Sequence, residues 1–187
     1  MTGTLVAVVG PSGAGKDTLI DFARARLQSN DRIGFVRRIV TRPCHGGSED
    51  HDSMDEKAFV RAEAAGGFAL SWAAHGLRYG LPISLDADLE GGRIAVANLS
   101  RQVIPALMER YPTALVVSVT ANRDVIARRL ANRGRETRES IQQRLDRSVE
   151  SSLPASTISI DNSGSLEVAG MQFTNLLLDM ARMVERN

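Results

Sequence analysis

A single cysteine, Cys44, among 187 residues excludes an internal disulfide and any zinc site built from several thiolates. Aromatic residues make up only 4%, too few for the stacking platforms that grip single-stranded nucleic acid. Neither sign of charge dominates: 23 Lys and Arg face 22 Asp and Glu, for a formal net charge of +1. An extended polyanion or an anionic membrane surface calls for a broad basic face, which this balance does not supply. Long apolar runs are missing as well. Leu5–Val9, the longest, and shorter runs such as Leu176–Leu178 fall far short of the roughly 20 residues that a membrane-spanning helix needs. No basic segment leads into a long apolar core at the start of the sequence, so no secretory leader is expected and the cytoplasm is the expected compartment. Histidine is sparse, and His45, His51 and His75 form no metal-ligand spacing. Lysine is sparser still: Lys16 and Lys57 are the only two, and arginine fills every other basic position.

What remains is an ordinary globular composition, 43% hydrophobic and 24% charged, on a length that suits one compact domain. Residues 4–9 (TLVAVV) form an apolar, β-branched run of the kind buried on both faces of a parallel sheet. Similar runs recur at 94–97, 114–119 and 157–160, with helical spacing at 18–28, about 100–110, 123–132, 138–151 and 165–185. Alternation of this kind predicts an α/β fold with a parallel sheet flanked by helices. Two regions interrupt it. Residues 35–91 hold a polar, turn-rich stretch (Pro43–Asp55), a short helix near 55–65 and two short strands near 68–73 and 77–81, which reads as an inserted subdomain. The core then comprises about 1–34 and 92–187. Residues 133–138 (RGRETR) are charged and glycine-containing and suit a mobile lid, which spans about 128–145 with its flanking helices.

Gly10, Pro11, Ser12, Gly13, Ala14, Gly15, Lys16, Asp17 and Thr18 lie between the first strand and the first helix. Gly10 and the Gly15-Lys16 pair have the spacing of a phosphate-binding loop. Glycines let backbone N–H groups converge on phosphate oxygens, the helix N-terminus adds its dipole, and Lys16 places an ammonium beside the β- and γ-phosphates. A bare strand–helix turn needs no lysine at that point. One departure is plain: the hydroxyl residue that usually follows the lysine and reaches Mg²⁺ is Asp17, with Thr18 one place later. Asp17 is therefore the candidate metal residue, and a Mg²⁺ requirement is expected.

Arg128, Arg129, Arg133, Arg135, Arg138, Arg144 and Arg147 crowd the lid and the helix after it. Such a cluster can be a solvated helix face. Downstream of a phosphate-binding loop it also suits phosphoryl transfer, in which guanidinium groups stabilise charge spread over the migrating group.

GPSGAGKDTL at 10–19, Thr41-Arg42-Pro43, FALSWAAHGLRYG at 68–80 and RRLANRGRETRESIQQRL at 128–145 resemble guanylate kinases over nearly the whole chain. That resemblance implies a P-loop kinase core, an inserted acceptor-binding subdomain and an arginine-bearing lid. It implies that Lys16, Arg129, Arg133 and Arg144 serve the transferred phosphate, and that Arg42 and Tyr79 hold the acceptor phosphate. The places where guanylate kinases carry a serine, a glutamate and an aspartate for guanine hold Arg38, Leu70 and Asn98 here, and His45 stands in for an acceptor-phosphate arginine. The GKD loop, the TRP…SEDH segment, LSWAAHGLRYG and VANLSR are similar to a narrower family, the ribose 1,5-bisphosphate phosphokinases of phosphonate catabolism. This implies ATP as donor with Mg²⁺, a sugar phosphate as acceptor, and contacts from Arg38, Arg42, His51, Arg78, Tyr79 and Asn98. A nucleoside monophosphate kinase with altered base preference and a non-catalytic binding module are the alternatives, and monomer and homodimer are both open.

Overall fold

The computed structural model describes residues 3–42, 51–74, 76–132 and 153–186. The expected lid at 133–138, the helix expected at 138–151, and Cys44, His45, His75, Arg133 and Arg144 lie outside the described residues.

Strand β1 (Thr4–Val9) is the middle of a five-stranded, all-parallel sheet. On one side it pairs with β7 (Ile94–Asn98), beyond which lies β2 (Ile33–Phe35); on the other it pairs with β8 (Leu115–Thr120) and then β9 (Ile158–Asp161). The alternating pleat of β1 explains why its whole run is apolar. Val6 and Val8 pack with Leu19, Ile20 and Ala23 of α1 (Lys16–Leu27) and with Phe173 and Leu177 of α6 (Leu166–Arg186). Leu5, Ala7 and Val9 face the opposite layer, with Leu85 and Leu89 of α3 (Ser84–Glu90) and Ile104 and Leu107 of α4 (Ile104–Arg110). The α3 and α4 helices are also clamped through one carboxylate. Arg110 donates from Nη2 to Asp86 Oδ2 at 2.6 Å, and the Tyr111 hydroxyl donates to Asp86 Oδ1 at 2.5 Å. Burial, followed by the Asp86 hydrogen bond, pushes the Tyr111 pKa up.

A second, four-stranded sheet runs β4 (His51–Ser53), β3 (Arg38–Val40), β6 (Leu77–Pro82), β5 (Phe68–Ala74). Its two faces have different duties. Register pairs Val40 with Tyr79, Tyr79 with Trp72, and Arg38 with His51, so these side chains share one face with Leu70 and Leu81. The other face carries Arg78, Gly80 and Ser71 under α2 (Glu56–Ala64). There the fully buried Phe59 stacks on Phe68 with centroids 4.4 Å apart, and the Phe68 ring occupies the space a side chain at Gly80 would need. Asp55 caps α2, accepting from the Ala58 N–H at 2.9 Å.

The long elements fall close to where the sequence pattern puts them: β1, β7, β8 and β9 are each within one residue, and α5 (Arg123–Asn132) and α6 likewise. The first helix starts earlier than expected, at Lys16, and the helix expected from 100 opens with a 3-10 turn at Arg101–Val103. Strands β2, β3 and β4, three residues each, and helix α3 are not evident in the sequence pattern.

Candidate functional site

The phosphate-binding loop leaves the C-terminal end of β1 and winds into α1. Gly10, Gly13 and Gly15 have φ of 152°, 84° and 89°, a region that L side chains rarely enter. A side chain at Gly10 would also strike the Val119 carbonyl, and one at Gly15 would strike the Asn162 amide. The loop is thus held as bare backbone. Gly15 caps α1 with no side-chain hydrogen bond, so the first turn presents its N–H groups to the loop. Lys16 folds back over the loop, and Nζ donates to the carbonyls of Gly10 (3.0 Å) and Pro11 (3.1 Å). The ammonium therefore lies over the backbone cradle.

The loop is braced from behind by two residues of distant elements. Asn162, 2% exposed and just past β9, donates from Nδ2 to the Ala14 carbonyl at 2.8 Å. Arg129 of α5 donates to the same carbonyl at 3.2 Å and to the Asn162 carbonyl at 2.9 Å. One guanidinium thus ties α5, the loop and the β9 end together. In the sequence Asn162 is marked only by its place in Asp161-Asn162-Ser163-Gly164 after the last strand, which does not reveal this role.

On the other side of the loop, Asn98 at the end of β7 donates from Nδ2 to Asp17 Oδ1 at 2.5 Å. Arg38, only 9% exposed, brings Nη2 to 4.0 Å from that same oxygen. Its guanidinium carbon lies 5.9 Å from the centre of the Tyr79 ring, which in turn stacks on Trp72 at 5.3 Å and 9°. His51 is buried beside Arg38 on the adjacent strand. Asp17, Arg38, Asn98, Ile20, Val36 and Arg24 line a small cleft beside α1. An ion pair this buried costs desolvation, so its presence next to a phosphate-binding loop points to a recognition task more than to stability.

Lys16, Asp17, Arg38, His51, Tyr79 and Asn98 therefore converge along the loop and the facing sheet. Arg78 does not join them. The pleat sends it to the α2 side, where Nε lies 3.5 Å from Glu56 and Nη1 3.4 Å from Glu63. Arg42 follows β3, and its carbonyl accepts from the Ser53 hydroxyl at 2.6 Å. Arg101, in the turn after β7, has its Nε shut off from solvent with no hydrogen-bond partner among the described residues. Burial lowers its pKa from the ordinary guanidinium value. The only sequence signal for it was the end of the VANLSR run. Among the described residues no group of three or more His, Cys, Asp or Glu could hold a metal ion, and no helix is long and apolar enough to cross a membrane.

No family model matches the chain. Its fold is similar to that of guanylate kinase from Anaplasma phagocytophilum, with a TM-score of 0.68 at 16% identity over 95% of this chain and 86% of that one. Curated relatives are far nearer in sequence. The ribose 1,5-bisphosphate phosphokinase PhnN of Brucella melitensis is 49% identical over 180 residues, covering 96% of this chain and 94% of its own. The protein of the same name from Chelativorans sp. is 52% identical over 178 residues, covering 94% of this chain and 85% of its own. In Cupriavidus necator a bifunctional ribose 1,5-bisphosphokinase-thymidine phosphorylase is 47% identical over 179 residues, with the match confined to 29% of that longer protein. Identity of this order along almost the full length, on a kinase fold with its phosphate-binding loop assembled, settles the kinship: the chain belongs to the ribose 1,5-bisphosphate phosphokinase family.

Proposed function

We propose that the protein transfers the γ-phosphoryl group of ATP to the 1-phosphate of ribose 1,5-bisphosphate, giving 5-phospho-α-D-ribose 1-diphosphate and ADP. The observation that carries this reading is the buried Arg38 at the mouth of the loop, facing Asp17 and Asn98, while Leu70 on the same sheet face offers no acceptor. A guanine placed there would leave N–H donors unpaired, each costing about 1–3 kcal/mol. A sugar phosphate brings no base, and the negative charge of its reacting end is matched by the guanidinium.

In the reaction an oxygen of the 1-phosphate attacks the γ-phosphorus in line as the bond to the β–γ bridging oxygen breaks. The nucleophile is already ionised, so a strong general base is not required, and catalysis rests on positioning and charge. Loop N–H groups and Lys16 hold the β- and γ-phosphates. Arg129 and Asn162 fix the Ala14 carbonyl and with it the loop's shape. Arg133 and Arg144 belong to the expected lid, where closure would exclude water and suppress ATP hydrolysis. The loop's one carboxylate beside triphosphate oxygens suits Mg²⁺, which binds through one or two carboxylates plus phosphates; Asp17 would hold it, and bound there it neutralises phosphate charge. A cytoplasmic enzyme that takes ATP and a small-molecule sugar phosphate completes the reading.

Incubation with Mg·ATP and ribose 1,5-bisphosphate, followed by mass spectrometry, tests it. The diphosphate product is expected. Efficient GMP phosphorylation with no turnover of ribose 1,5-bisphosphate overturns the proposal in favour of a nucleoside monophosphate kinase.

A further inference from the structure

The turn after β7 carries a cation for which the bracing of the loop and the Asp17 cluster have no use. Arg101 stands three residues beyond Asn98, past the C-terminal edge of the parallel sheet, the edge at which open α/β sheets bind ligands. Its Nε is buried, and no acceptor reaches it among the described residues. Burying such a donor unpaired is costly, the more so on a charged group. The turn is also fixed in place. Leu99 donates its N–H to Val8 O at 2.9 Å, Val103 is buried in the core, and Gln102 donates from Nε2 to Ala73 O at 2.5 Å. That last bond ties the turn to β5 beside Trp72, whose Nε1–H is a second buried donor with no partner among the described residues. Trp72 packs into the same apolar cluster as Leu99, Val103 and Ile104. Two orphaned donors, one cationic, thus sit on two elements bonded to each other, one in the turn after β7 and one on the facing sheet. Donors without acceptors fit an anion with several oxygens.

We infer that Arg101 is a specificity-determining residue that binds the acceptor's second phosphate, the 5-phosphate that does not react, with the Trp72 indole N–H beside it. This rests on the acceptor proposed above and deepens it. Arg38, next to Asp17 and the loop, is left for the reacting end of the sugar, and Arg101 for the far end. The enzyme then discriminates a bisphosphate from a monophosphate by one pre-placed guanidinium rather than by contacts to the ribose.

The test compares the full-length enzyme with Arg101→Ala and Arg101→Lys, using ribose 1,5-bisphosphate and ribose 1-phosphate as alternative acceptors. For Arg101→Ala the KM for the bisphosphate should rise by about 10- to 100-fold, the range expected for losing a charge-assisted contact. The KM for ATP should stay within about 2-fold, which also reports an intact loop, and kcat/KM for ribose 1-phosphate should hardly change, so that the preference between the two acceptors collapses. Arg101→Lys should restore part of that preference. An unchanged bisphosphate KM in Arg101→Ala, or equal losses on both acceptors, overturns the assignment while the reaction itself stands. A wild-type enzyme inactive on ribose 1,5-bisphosphate overturns both, so the two failures are distinguishable. Trp72→Phe supplies an independent variant: it keeps an aromatic ring and removes the N–H, and is expected to weaken the bisphosphate several-fold and ribose 1-phosphate much less.

Discussion

Asn98 donates to Asp17 at 2.5 Å, joining the end of β7 to the first turn of α1. The bond links the strand that borders the Arg38 cleft to the helix that follows the phosphate-binding loop, so in the proposed reaction the acceptor and donor sides share a fixed point. Asn98→Asp would set a second carboxylate against the first. Like charges at this range push one carboxyl pKa up, so the pair keeps a proton in acid and loses it as pH rises. A group whose folded pKa is raised stabilises below that pKa and loses its contribution above it. The variant should therefore lose melting temperature and acceptor affinity relative to wild type as the pH rises through that raised value. Parallel pH profiles for the two proteins would rule this out.

Arg38 and Arg78 should separate cleanly in kinetics. Arg38 is buried beside Asp17, whereas Arg78 is on the α2 face with Glu56 and Glu63. Arg38→Ala is expected to raise the acceptor KM by about tenfold or more, in line with a lost charge-assisted contact. Arg78→Ala should move it less than about 2-fold and cost under about 1 kcal/mol in denaturant titration, as partly exposed ion pairs do. An unchanged acceptor KM in Arg38→Ala would remove Arg38 from the site.

Gly15→Ala probes the loop's bracing. The residue has φ of 89°, and a methyl group there would collide with the Asn162 amide. Strain at such a position costs about 1–3 kcal/mol, and displacing Asn162 loosens the Ala14 carbonyl. Chemical denaturation should show that loss, with a rise in the KM for ATP that exceeds any rise for the acceptor. Equal effects on both substrates would argue against a loop-specific role for Asn162.

The clamp between α3 and α4 predicts an alkaline limit. Burial and the hydrogen bond to Asp86 raise the Tyr111 pKa above its ordinary value of 10.0. The neutral phenol therefore stabilises the fold at and below that pH, and the contribution is lost as the pH climbs through the raised value. Tyr111→Phe should be less stable than wild type at neutral pH, with a gap that closes in strongly alkaline solution. A gap independent of pH would mean that packing, not the hydroxyl, carries the effect.

The long elements and the loop are legible in sequence because their signals are repetitive. Five buried residues in a row in β1 and the spaced apolar residues of α6 each report one environment many times over. The three-residue strands β2, β3 and β4 span at most one and a half pleats, so no period can build up, and their place is set by the partners they pair with. For the site, residue type and spacing single out Lys16 and Asp17, whereas Arg38 and Asn98 become candidates only through the resemblance to guanylate kinases. Arg78 shows the limit. It adjoins Tyr79 in sequence, and only the pairing register of β6 reveals that the two side chains leave on opposite faces. Asn162 and Arg101 are similarly silent, because what marks them is a long-range carbonyl partner in one case and a missing acceptor in the other.

The division of the second sheet into two faces bears on how a kinase can change its acceptor. Among the described residues the contacts that anchor α2, from Phe59 on Phe68 to the Arg78 ion pairs, hang from one face, while Arg38, His51, Leu70, Trp72 and Tyr79 occupy the other. Substitutions on the cleft side can therefore accumulate without unseating the helix behind it. The sheet behaves as a partition: one surface holds the helix in place, and the other is free to carry a different set of side chains.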